Sequence, residues 1–126
     1  MKKTLFAIFA VVAFALIGCS VPPEDIVEKY YKAAADNNVD KAISCFSLKN
    51  IDETEITTAK GKLQMIIGGY YQEIQKNGGL ASVKTALVEQ EGDTATVNAI
   101  VTFKNGQTDE QRFNLIKDNG WKITLK

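Results

Sequence analysis

The chain has 126 residues, 45% of them hydrophobic, with 15 basic against 15 acidic side chains and no histidine. That length bounds it to one domain with a real core, the balanced and scattered charge leaves no basic patch for a nucleic-acid backbone, and the missing imidazole excludes histidine-based triads, dyads and metal triads. Lys2 and Lys3 precede an unbroken apolar run from Leu5 to Ile17, the layout of a secretory signal peptide. At about 1.5 Å per residue the run reaches only about 20 Å, short of a bilayer core of about 30 Å, so a retained transmembrane helix is disfavoured.

Leu16-Ile17-Gly18-Cys19, which closes that run, resembles the lipobox of bacterial lipoproteins. The resemblance implies that a diacylglyceryl group joins the Cys19 sulfur, that the chain is cut just before it, and that acyl chains such as palmitate hold the new N-terminus in a membrane. A plain signal peptide cut elsewhere, at small residues such as Ala13 or Ala15, is the rival reading, and it leaves Gly18-Cys19 unexplained. One acyl chain grips a bilayer only marginally, at about 0.8 kcal/mol per buried CH₂, whereas two or three anchor it stably. The expected organisation is a signal peptide over 1–18, a lipidated N-terminus and short tether over 19–23, and one domain over 24–126. Loss of Lys2 and Lys3 leaves 13 basic against 15 acidic side chains. Ser20 resembles the sorting residue of lipoproteins sent to an outer membrane, so the expected place is a cell membrane or outer membrane, facing periplasm or exterior.

Pro22-Pro23 stiffens the tether and opens a helix expected to run to Asp36, with Glu24 and Asp25 at its positive end and Ile26, Val27, Tyr30, Tyr31 and Ala34 as an apolar stripe. Asp36-Asn37-Asn38 stops it. A short second helix is predicted over Val39–Phe46, held by packing of Val39, Ala42, Ile43 and Phe46. Cys45 lies within it. With Cys19 acylated, Cys45 has no partner in the chain, and its three readings are a reactive thiol, an intermolecular disulfide, or a small buried hydrophobe; free cysteines are among the most buried residues, which favours the last.

Ser47–Glu55 reads as a polar loop, after which Thr57 or Thr58 is expected to cap a third helix reaching Lys76, with Leu63, Ile66, Ile67, Tyr70 and Ile74 at helical spacing. Gly68-Gly69 interrupts that pattern. Two glycines in a helix interior imply a kink or a closely packed backbone, and a gap that admits a ligand is the sharper alternative.

From Ala81 the period changes to two. Four strands are predicted, Ser82–Gln90, Thr94–Lys104, Thr108–Lys117 and Trp121–Lys126, joined by turns at Glu91-Gly92-Asp93, Asn105-Gly106 and Asn119-Gly120, where Asn-Gly favours type I′ geometry. Ala95, Val97, Ala99, Val101, Phe103, Phe113, Leu115, Trp121, Ile123 and Leu125 are expected on the face that meets the helices. The fold class is therefore α+β: two to three N-terminal helices packed on a curled four-stranded antiparallel meander.

Glu91-Gly92-Asp93-Thr94-Ala95-Thr96-Val97, followed by Phe113-Asn114-Leu115-Ile116-Lys117-Asp118-Asn119-Gly120-Trp121-Lys122-Ile123, is similar to the pattern of small bacterial lipoproteins grouped as domain of unknown function 4878, and the early Pro-Glu-Asp-Ile-Val-Glu-Lys-Tyr-Tyr helix fits it too. The order of elements resembles the cystatin-like, or nuclear-transport-factor-2-like, cone fold. The resemblance implies a pocket between helices and concave sheet, and no activity.

Tyr30, Tyr31, Tyr70, Tyr71, Phe113 and Trp121 are candidates to line such a pocket, against the plainer reading that they fill the core. The function expected is a membrane-anchored, non-catalytic module that binds a small apolar ligand or an envelope protein, with the membrane itself reached through Cys19. An isomerase or dehydratase is the alternative, with Asp40, Asp52 or Glu73 as base and Tyr30 or Tyr70 as donor, although each acid sits in a hydrophilic stretch. No metal or cofactor is expected, since carboxylates are not clustered and there is no phosphate-cradling glycine loop. Pairing through the open edge of the last strand is a third possibility, opposed by Lys122 and Lys126.

Overall fold

The computed structural model describes residues 21–125. The predicted signal segment, the lipobox-like motif with Cys19, Ser20 and Lys126 lie outside the described residues. Among the described residues, no helix is long and apolar enough to cross a membrane.

Helix α1 (Pro23–Ala35) begins at the expected proline, with Glu24 and Asp25 in its first turn. Val27, Tyr30, Tyr31 and Ala34 form the buried stripe, which Ala33 widens. Asn37 ends the helix by taking φ 55°, and the N–H groups of Asn37 and Asn38 donate back to Ala34 and Ala33 at 3.1 and 2.9 Å. Asn38 then caps α2 (Val39–Ile43), its side-chain oxygen accepting from the Lys41 N–H at 3.2 Å.

Helix α2 stops short of the predicted Phe46. The chain there is claimed by the sheet instead: the Ile123 N–H donates to Cys45 O at 2.7 Å and the Ser47 N–H donates to Ile123 O at 2.8 Å, so Phe46 forms a parallel bridge with Ile123. The polar stretch that follows holds a 3₁₀ turn, Glu53–Glu55, which feeds straight into α3 (Ile56–Lys76). Thr57 and Thr58 consequently lie inside the helix and do not cap it. Leu63, Ile67 and Ile74 supply its buried stripe, while Ile66, expected in that stripe, is 59% exposed.

Strands β1 (Leu80–Glu91), β2 (Thr94–Phe103), β3 (Thr108–Lys117) and β4 (Trp121–Ile123) form one antiparallel sheet in sequential order. Strict alternation on β2 buries Ala95, Val97, Ala99, Val101 and Phe103 against the helices. Register shifts between Leu80 and Ser82 and between Leu87 and Glu89 bulge β1, and bulges strengthen local twist, which curls the sheet around the helix layer. β4 is shorter than predicted, and Leu125 lies beyond it, 37% exposed instead of in the core. Its expected open edge is also occupied, because the groups of Ile123 that face away from β3 pair with Cys45 and Ser47.

The turns differ from one another. Asn119 and Gly120 both have positive φ, 57° and 92°. Asn105 does not, so the β2–β3 connection is not type I′; it is a three-residue loop, Lys104–Gly106, closed by the Phe103 N–H on Gln107 O at 2.8 Å, with Gly106 alone at φ 92°.

Candidate functional site

The end of α3 is fastened to that loop. Asn77 and Asn105 meet twice: the Asn105 N–H donates to Asn77 O at 3.1 Å, and its side-chain amide donates to Asn77 Oδ1 at 2.7 Å. Gly78 and Gly79, at φ 88° and 111°, let the chain reverse there, and the Lys104 N–H donates to Gly79 O at 2.9 Å. The clamp holds the last turns of α3 above the β2–β3 hairpin and leaves a cavity between them.

That cavity has a volume of ≈ 560 Å³ and is lined by Tyr30 and Tyr31 of α1, Ile66, Gly69, Tyr70 and Glu73 of α3, Phe103 and Gln107 at the hairpin, and Thr108, Asp109, Gln111 and Phe113 of β3. Its aromatic wall is continuous. Tyr31 stands edge-on to Phe113 with centroids 5.7 Å apart, Tyr70 lies 5.6 Å from Tyr31, and Tyr30 touches Tyr31 and Phe46, both at 5.3 Å. Tyr30 and Tyr31 are 7% and 1% exposed, so they serve core and cavity together.

Two groups in the wall stand out. The Tyr70 hydroxyl is fully buried yet has no hydrogen-bond partner among the described residues. Asp109 lies beneath the aromatic cluster on β3, where its register partner is the buried Val101. Burial, then the charge of Asp109, pushes the Tyr70 phenol far above its ordinary range; burial, then Tyr70, Tyr30 and Asp109, does the same to Tyr31. Both phenols therefore keep their protons at neutral pH.

Of the residues picked from sequence, Tyr30, Tyr31, Tyr70 and Phe113 come together in the cavity, and Glu73 joins them. Trp121 does not. It follows the β3–β4 turn at the opposite end of the sheet, 4% exposed, with Lys117 Nζ 5.4 Å from its ring centroid. Tyr71 is likewise absent from the wall, and Asp40 and Asp52 are exposed away from it. Asp109 and Gln111 were missed. They continue toward the hairpin the face that Phe113 and Leu115 occupy, and two polar residues in phase with that apolar pair are the signal that marks them.

Gly68-Gly69 does not break α3, which runs through both residues, and close packing does not explain the pair, since a Cβ at either would meet nothing within 4 Å. Gly69 instead lines the cavity. Cys45 is 1% exposed and outside it, with its thiol pushed up by burial and Sγ donating to Lys41 O at 3.5 Å. A second cavity of ≈ 560 Å³ lies at the other end of the sheet, among Ser47, Ile51, Thr96, Asn114 and Leu125; among the described residues, no charged side chain lines it.

Among the described residues, no group of three or more cysteine or carboxylate side chains is placed to hold a metal ion. A family model described as "Domain of unknown function (DUF4878)" matches residues 17–124. No curated protein matches the chain. A crystal structure from Campylobacter jejuni, of a protein provisionally named an NTF2-like transpeptidase, is similar with a TM-score of 0.76 at 20% identity, covering 84% of this chain and 100% of that one. The likeness establishes the NTF2-like fold.

Proposed function

The chain belongs to the family of domain of unknown function 4878, and from that premise we propose that it is a lipid-anchored, non-catalytic binding domain whose ligand enters the cavity between α3 and the β2–β3 hairpin. The observation that carries this reading is the Tyr70 hydroxyl, buried without a partner in a wall of aromatic rings. An unpaired buried hydroxyl costs about 1–3 kcal/mol, and a ligand group that reaches it recovers that cost. Apolar walls with a few converging polar groups are the usual form of a small-molecule site.

Anchoring rests on the sequence of residues 1–19. Acylated Cys19 stands four residues before the start of α1, so the domain and its cavity are held close to the bilayer, facing periplasm or exterior. An envelope protein as partner fits the same placement. Two measurements test the proposal: Cys19→Ala releases the chain from the membrane fraction and abolishes palmitate labelling, and native mass spectrometry of the chain extracted from its envelope returns protein plus ligand. A chain that stays membrane-bound without Cys19 overturns the anchor; extraction that returns empty protein, with no thermal shift on adding envelope extract, overturns the binding reading.

An isomerase or dehydratase is the second reading, favoured by Glu73, Asp109 and Tyr70 lining one cavity. Such a reaction needs a desolvated base, and Glu73 is exposed. Transpeptidation, the activity in the name of the Campylobacter protein, needs an activated nucleophile. Cys45 is buried elsewhere with a raised pKa, which argues against that chemistry here. If the enzyme reading holds, the unsubstituted chain converts its ligand and Glu73→Gln or Asp109→Asn abolishes that turnover; a ligand left chemically unchanged by the unsubstituted chain overturns it.

A further inference from the structure

We infer that the cavity between α3 and the β2–β3 hairpin selects small organic cations, an ammonium group carried on an aromatic or apolar body. The inference rests on the binding reading above and specifies its ligand.

Charge comes first. Asp109 and Glu73 both line the cavity, and among the described residues no lysine or arginine does. An anion entering it would lose hydration beside two carboxylates, whereas a cation is drawn in by them. The field is already felt inside, since Asp109 contributes to holding the protons on Tyr31 and Tyr70.

The walls suit the same ligand. Tyr30, Tyr31, Tyr70 and Phe113 present aromatic rings, whose faces carry the negative part of the quadrupole, and an ammonium within about 6 Å of such a face gains about 0.5–2 kcal/mol depending on desolvation. An ammonium also answers the acid of the wall: it donates to the Asp109 carboxylate, which makes no side-chain hydrogen bond among the described residues. A purely apolar ligand of equal size would bury Asp109 with neither charge nor hydrogen bond, which costs more than burying a neutral group. Gly69 opens the rim on the α3 side, where a side chain would narrow it.

The test uses the full chain in nanodiscs of neutral phospholipid, titrated with phenethylammonium, 2-phenylethanol and phenylacetate, with amide NMR shifts of Gly69, Tyr70, Asp109 and Phe113 as readout and empty nanodiscs as control. The expected result is saturable binding of phenethylammonium, with 2-phenylethanol and phenylacetate at least tenfold weaker. Asp109→Asn should weaken the cation at least tenfold and leave the alcohol unchanged; matching thermal unfolding of the variant shows that the fold is intact. Equal or tighter binding of the alcohol or the anion at the same amides overturns the cation inference and leaves the binding reading standing. Silence from all three probes overturns the inference whatever the envelope extract returns, and the extract alone then judges the binding reading.

Discussion

Tyr31 and Phe113 meet at 90° with ring centroids 5.7 Å apart, so one contact both ties α1 to β3 and forms the floor of the candidate site. Edge-to-face pairs add about 0.5–1.5 kcal/mol beyond the area they bury. Phe113→Ala should therefore lower stability by about 2–3 kcal/mol, at or below the bottom of the about 3–5 kcal/mol expected for a fully buried phenylalanine, because Phe113 is only half-buried. Phe113→Leu should recover more than half of it. Urea unfolding followed by circular dichroism measures both.

Tyr70→Phe is expected to stabilise the empty domain by about 1 kcal/mol, since it removes a buried hydroxyl that has no partner. Most core substitutions destabilise, so the sign is diagnostic. A loss of stability in the thermal or urea midpoint would mean that the hydroxyl is satisfied in solution.

Gly68→Ala and Gly69→Ala should each raise stability by about 0.5–1 kcal/mol, because the helix is continuous there and a Cβ at either position meets nothing within 4 Å. Gly69→Leu, whose side chain adds bulk at the rim, should weaken ligand uptake while the fold persists. Thermal unfolding and ligand titration separate the two effects.

Stability should fall on the alkaline side. Cys45, Tyr31 and Tyr70 all have folded pKa values raised above their ordinary 9.0 and 10.0, chiefly by burial. The folded state thus binds protons more tightly; the stabilisation is complete below about pH 9 and is lost as pH rises above it. Urea midpoints should be alike at pH 7 and 8 and decline at pH 9.5 and 10.5, and Tyr31→Phe should flatten the decline. In the native state at pH 8, alkylation of Cys45 should be at least tenfold slower than in urea.

Ser47→Ala should cost about 1–2 kcal/mol. Ser47 Oγ donates to Asp118 Oδ2 at 2.7 Å and its N–H donates to Ile123 O, so this nearly buried residue links the strip covering β4 to the β3–β4 turn. Amide exchange at Ile123 should accelerate in the variant.

Local pattern made most of the architecture legible. The proline start and stripe of α1, the alternation of β2 and the glycine-bearing turns are properties of a few neighbouring residues, so period and turn chemistry reveal them directly. The same logic brought Tyr30, Tyr31, Tyr70 and Phe113 forward as wall residues. It erred where distant segments compete for one backbone: the helix predicted over Val39–Phe46 gives up Cys45 and Phe46 to the edge of β4, a pairing between residues nearly eighty apart that no local rule contains.

From the sequence alone follow the element order, the α+β class and the expectation of acylation at Cys19, because each depends on neighbouring residues and their spacing. Tertiary structure decided which aromatics share a cavity. Trp121 and Phe113 both belong to the core face of the meander, yet only Phe113 lines the cavity beside the Asn77–Asn105 clamp, because Trp121 follows the β3–β4 turn at the other end of the sheet. The same folding brings Asp109, a single acid on its face of the strand, beside three tyrosines from two helices, and proximity across the fold, not residue type, places it with Glu73 in one cavity.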